Sequence, residues 1–167
     1  SEYLLSMCDS TGLTQHAVHS IPDRIHGYCF DDNARALLLS ATLAEADAPG
    51  IPDIVTNRFA AFVQHAWNPD NRRFRNFMSY DRRWLEDTGS EDSHARALWA
   101  LAACAQSDPL ESRSRWADAL FRAALAPVHG FSSPRSWAFV LLALDIHCRR
   151  CRDDAVADRL RRVLADR

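Results

Sequence analysis

The chain has 167 residues, 47% of them hydrophobic and 25% charged, with a formal net charge of −2. Those proportions suit one globular domain with a real core, residues 1–167 as a single unit, and exclude disorder as the default. Near-neutrality also excludes the one-signed basic stripe that nucleic acid requires.

Periodicity predicts about seven helices and almost no strand, an all-α fold of repeated helical hairpins. The first is short, near residues 1–8. The second, over 31–47, contains the uncharged run Ala36 to Ala44. The third, over 53–67, puts Ile54, Val55, Phe59, Phe62, Val63 and Ala66 on one face. The fourth, over 91–106, is apolar all round after its first turn. The fifth, over 109–126, is amphipathic through Trp116, Leu120, Phe121 and Ala124, and Asp108-Pro109-Leu110-Glu111 reads as its capping box. The sixth, over 134–148, follows a Ser133-Pro134 cap. The seventh, over 153–166, sets Val156, Leu160, Val163 and Leu164 against Asp and Arg. A helix apolar on all sides is buried on all sides, and a one-faced helix lies at the surface. Buried and surface helices therefore alternate.

The buried helices also resemble one another. Asp31-Asp32-Asn33-Ala34-Arg35-Ala36-Leu37 aligns with Asp92-Ser93-His94-Ala95-Arg96-Ala97-Leu98 at an offset of 61 residues. Ser133 to Phe139 is a weaker third copy, 41 residues later. Such repeats are expected when hairpins surround one centre with inner helices running the same way. Between helices, residues 9–30 and 68–90 form connections too long to be idle in a compact domain. Both lead into the start of a buried helix, and Arg73 to Phe77 could form a short hairpin strand.

No apolar run approaches the ~18–20 residues of a membrane span. The opening residues lack the basic-then-apolar pattern of a secretion signal. The five cysteines, Cys8, Cys29, Cys104, Cys148 and Cys151, are odd in number and irregularly spaced, unlike a secreted disulfide framework. A cytoplasmic address is expected. Cys148 and Cys151 form a C-x-x-C, but in a helical stretch without the βαβ context of redox motifs. His16, His19 and His26 could gather round a metal, but their loop offers no fixed scaffold. Neither a metal nor a cofactor is expected.

The strings His26 to Leu37 and Gly89 to Trp99 resemble the helical domain that bacteria fuse behind retaining nucleotide-sugar glycosyltransferases. That domain is similar to six-hairpin, glycosidase-like α/α toroids. Gln15-His16, Pro22-Asp23-Arg24, Trp84-Leu85-Glu86 and Phe131 to Phe139 extend the likeness. The resemblance implies a partial toroid, roughly half of an (α/α)6 barrel, and carbohydrate chemistry. About three buried helices are present and no nucleotide-binding βα units are. The chain is therefore expected to be a fragment, or a subunit whose ring a second chain or a glycosyltransferase domain completes.

Glycoside hydrolysis or transglycosylation needs two carboxyls, and Asp31, Asp32, Glu91 and Asp92 crowd two inner-helix starts. Helix starts favour ionised carboxylates, which suits a base or nucleophile. Glu86, beside Trp84, is the candidate acid in a drier place. His94 joins the catalytic candidates, and toroidal sugar epimerases suggest a His94–His26 acid–base pair. Candidates for binding an oligosaccharide or glycoconjugate are His26, Tyr28, Asp31, Arg35, Tyr80, Trp84 and Arg96. Asp31 with Arg35 and Asp92 with Arg96 also have the i,i+4 spacing of helical ion pairs, so structural roles compete. The alternative reading is a non-catalytic glycan-binding or scaffolding module serving a glycosyltransferase.

Overall fold

The structure, a computed structural model, describes residues 2–166. It is mostly helical with a small sheet. The expected first helix is α1 (Glu2–Ser6), with Ser1 outside the described residues. Three hairpins follow: α2 (Phe30–Glu45) with α3 (Asp53–Ala66), α4 (Glu91–Ser107) with α5 (Glu111–Ala124), and α6 (Pro134–Arg150) with α7 (Ala155–Ala165). Helix α4 packs between α2 and α6, while α3, α5 and α7 each back their own partner.

Burial follows the expected alternation only at α4, because α2 and α6 bury one face each and leave Leu39 and Leu142 exposed. In α4 the run from Ala100 to Ala105 is buried throughout, whereas α5 buries one stripe through Ala117, Leu120, Phe121 and Ala124. Small residues on α4 (Ala95, Ala97, Ala100, Ala102) let two neighbours approach the same helix, and all four are buried.

The three buried helices run the same way. Arg96, in the second turn of α4, reaches Asp31 in the first turn of α2, and Asp92 of α4 is paired with Arg135 in the first turn of α6. At the other end Gln106 of α4 meets Glu45 of α2. Helix α6 starts at Pro134 and α4 at Glu91, an offset of 43 residues. The third copy of the repeat is thus in register two residues away from the string alignment.

The connection over 9–30 is no loop. It forms an antiparallel hairpin, β1 (Thr14–Val18) and β2 (Ile21–Cys29), with β5 (Phe77–Met78) on the other side of β2. Tyr28 pairs with both Thr14 and Met78, and a bulge interrupts the register between Thr14 and His16. Gly27 has φ +64 and lies so close to β5 that a Cβ would stand 2.2 Å from the Met78 carbonyl oxygen. Only glycine satisfies both demands. The expected hairpin near Arg73 is real but pairs elsewhere, β4 (Arg73–Phe74) with β3 (Trp67–Asn68).

The capping box expected at Asp108 to Glu111 is absent, since Leu110 precedes α5 without a side-chain cap. The Asp108 carboxylate is instead committed to Arg113, at 2.6 and 2.8 Å. Arg113 also reaches Asn57 and Asp53 on α3, both at 2.7 Å. Both members of the Asp108–Arg113 pair are almost fully buried. Truncating one member of such a pair strands the other without water. Arg113→Ala is expected to cost about 3–5 kcal/mol in denaturant unfolding. A loss below about 1 kcal/mol would show that the pair carries no such weight.

Candidate functional site

The start of α2 grows directly out of β2, and the second long connection clamps it. Asn76 accepts the Phe30 N–H on its carbonyl at 2.7 Å and the Asp31 N–H on its side chain at 3.2 Å. Gly89 donates to the Phe74 carbonyl at 2.7 Å, and the Ser90 hydroxyl then caps α4 by accepting from the Ser93 N–H at 3.1 Å. Ser133 caps α6 in the same manner, as its sequence indicates. Three helix starts are thereby held side by side, with the 68–90 segment wedged between the first two.

A cleft of about 430 Å³ opens there, within the usual ligand-pocket range of ~300–1,000 Å³. Asp31, Asp32, Asp92, Arg35 and Arg96 line it, five of the residues nominated from sequence. Gln15, Cys29, Asn76, Phe77, Ser90, Ser93 and Arg135 complete the wall. Of these, Phe77 ends the Arg73 to Phe77 stretch noted above, and Arg135 belongs to the third repeat. Nothing in the local spacing marks Asn76 or Ser93.

The cleft carboxyls differ in their partners. Asp31 accepts from Arg96 Nε at 2.6 Å and from Arg35 at 2.8 Å. Arg96 therefore spans two helices, and the expected Asp92–Arg96 pair within α4 does not form. An arginine this long finds the neighbouring helix as readily as the next turn of its own, and there its guanidinium also lies 4.3 Å above the Phe139 ring. Asp92 accepts from Ser133 at 3.0 Å, from Ser136 and from Arg135. Burial raises the Asp92 pKa, but those bonds from Ser136, Arg135 and Ser133 outweigh it and hold the carboxyl below its ordinary range. Asp32 is the reverse case. Burial raises its pKa, the Arg35 charge opposes this, and neighbouring Asp31 adds to the rise. Among the described residues no arginine lies within ion-pair distance of Asp32.

Several nominated residues lie outside the cleft wall. Glu91 accepts the Ser132 and Ser133 N–H groups at 2.8 and 2.9 Å, fastening the approach to α6. Glu86 accepts the Asn76 and Phe77 N–H groups at 2.9 and 3.3 Å, so it fastens the 68–90 segment and does not line the cleft. Tyr28 is buried against Phe62, and its hydroxyl donates to Asp9 at 2.6 Å. Burial and that acceptor push the phenol up to about 12. Trp84 packs on Phe62 and His65. Tyr80 stacks on Tyr28 with Arg24 over its ring. His26 lies on the exposed hairpin, its ring 4.5 Å from that of His16. These aromatic and imidazole groups pack against one another because the two long connections fold on each other.

His94 is fully buried between the Phe74 and Phe131 rings. Its Nε2–H donates to the Ala124 carbonyl at 2.8 Å, so it clamps α4 to the end of α5 and is not half of a pair with His26. Burial lowers its pKa from 6.5 to about 4. The chain matches no protein-family model, no curated protein and no solved structure.

The lowered His94 pKa has a pH signature. The unfolded chain binds a proton below about pH 6.5 that the folded chain refuses until about pH 4. This contribution is complete above pH 6.5 and is lost as pH falls through that window, by up to about 3 kcal/mol. His94→Gln is expected to flatten the stability profile between those pH values in denaturant unfolding. Parallel wild-type and variant profiles would refute the coupling.

Proposed function

We propose that the chain is a carbohydrate-active domain of the α/α-toroid type. Its cleft at the buried-helix starts binds an oligosaccharide or glycoconjugate, and Asp32 donates the proton in hydrolysis or transfer of a glycosidic bond. One observation carries this reading. Asp32 is the cleft carboxyl whose pKa burial raises and which no arginine pairs, beside the arginine-paired Asp31 and Asp92. Glycoside chemistry needs such inequality, one carboxyl keeping a proton while another acts ionised as base or nucleophile. The rest of the wall suits sugar, with amides Gln15 and Asn76 and arginine forks for hydroxyls, and Phe77 exposed as a stacking face.

The repeat supports a special role for Asp32. At the matching positions of α4 and α6 stand Ser93 and Ser136, each donating its hydroxyl locally, to the Ser90 carbonyl and to Asp92. In α2 a carboxyl stands in place of that hydroxyl, with the Cys29 thiol as a hydrogen-bond partner. A second reading, a non-catalytic glycan-binding or scaffolding module beside a glycosyltransferase, draws on a different fact. Asp31, Asp92, Glu91 and Glu86 are all engaged in bonds that hold the frame.

The test is product release from gluco- and manno-oligosaccharides, with binding titrated on the same panel. Asp32→Asn is expected to lower turnover by about 100-fold or more while stability stays within about 1 kcal/mol. Turnover retained in the variant would eliminate Asp32 as the acid. Binding without turnover in the wild type would establish the second reading.

A further inference from the structure

The lower end of the third hairpin carries a group unrelated to the cleft. Asp118 of α5, His147 of α6 and Cys151 just past α6 place one donor atom each within 4.8 Å of one another. They form the only such group of His, Cys and carboxylate donors among the described residues. We propose that Asp118, His147 and Cys151 bind a divalent metal ion of the zinc class, with water in the fourth position.

Three observations support this. First, His147 is held as a ligand is held. It is buried, its ring stacks on Phe121 at 4.7 Å, and its Nε2 lies 3.0 Å from Asp154 Oδ2. Asp154 also accepts the Ala157 N–H at 3.1 Å and pairs with Arg122 at 2.7 Å. With Nε2 turned to that carboxylate, Nδ1 is the ring nitrogen that faces Asp118. A carboxylate behind a histidine in this way fixes the tautomer of metal ligands.

Second, Nδ1 faces Asp118 Oδ1 at 3.8 Å. That is too long for a hydrogen bond. Two ligands of one tetrahedral zinc stand roughly 3.3–3.6 Å apart, given zinc–ligand bonds of about 2.0–2.3 Å. A shift of a few tenths of an ångström therefore brings this pair to ligand spacing, and the donor atoms of all three residues lie within 4.8 Å of one another.

Third, positive charge is already drawn to this place. The Arg122 guanidinium bridges Asp118, Asp154 and the Cys151 sulfur, and Arg150 also reaches Asp118. Both arginine side chains are partly exposed, at 45% and 30%, and can turn to solvent when a metal takes their place. On binding, the Cys151 thiol releases its proton to solvent and sulfur coordinates as thiolate. The Cys148-x-x-Cys151 pair contributes one ligand only. Neither the residues nor the argument depends on the carbohydrate reading.

Metal-free, reduced full-length chain titrated with Co²⁺ is the test. The expected result is one Co²⁺ per chain, with a thiolate-to-cobalt charge-transfer band and the visible bands of four-coordinate cobalt, bleached by Zn²⁺. Cys151→Ser, checked for native circular dichroism, loses the charge-transfer band. Cys148→Ser keeps it, and His147→Gln binds about tenfold or more weakly. No thiolate band in the wild type would overturn the proposal. So would a band that survives in Cys151→Ser, or one that Cys148→Ser abolishes.

Discussion

Three parallel helices that begin at the same level put three positive dipole ends side by side, and the structure depends on neutralising them. Each buried start carries a charge of about half a unit, and carboxylates in the first turn answer it. Helix α2 supplies Asp31 and Asp32, and α4 supplies Glu91 and Asp92. Helix α6 has no acid in its first turn and adds Arg135. Asp92 absorbs that charge, as Asp31 absorbs Arg96 one helix earlier. The ion pairs therefore run from one hairpin to the next, fixing the level at which neighbouring helices start. The cleft is the space these pairs surround.

A stability device that consists of carboxylates and arginines leaves little chemistry free. Asp31 and Asp92 are engaged by the pairs that align the helices, and Glu91 by two backbone donors. Under the proposed function, Asp32, the cleft carboxyl outside these ion pairs, is the one left to act on a substrate. The same economy explains the buried polar side chains. Asn33 ties α2 to Leu13 and the end of β2, while His94, at the matching place in α4, ties that helix to the end of α5. Both are framework residues whose polarity is spent on backbone groups.

The helices were legible because their apolar runs and stripes are long enough to be unambiguous. The β1–β2 hairpin was not. Its apolar residues Val18, Ile21 and Ile25 are exposed, so no alternation between core and solvent marks the strands. The level of the cleft was legible from the repeated helix starts, and five of its lining residues with it. What failed was partner choice. Spacing assigned Arg96 to Asp92, but the neighbouring helix offered Asp31 together with the face of Phe139. Tyr28 and Trp84 looked available to a sugar because they lie in long connections, yet both pack on Phe62 of α3. His147 looked ordinary because Asp118 comes from α5 of the second hairpin and Asp154 from just before α7.

The two ends of the hairpin array thus answer different demands. At the helix starts, charges from successive hairpins interlock, and α4 is held from both sides. The third hairpin has a neighbour on one side only among the described residues, since α6 packs on α4 and α7 on α6. Stacked repeats draw much of their stability from such interfaces, so a hairpin with one interface needs cohesion of its own. The His147–Asp154 contact supplies it by joining α6 to the start of α7, and Asp118 ties the same buried imidazole to α5 of the hairpin before. A metal ion there would replace a network of mobile arginines with bonds of fixed length. Its effect would be greatest in the hairpin that packing holds least.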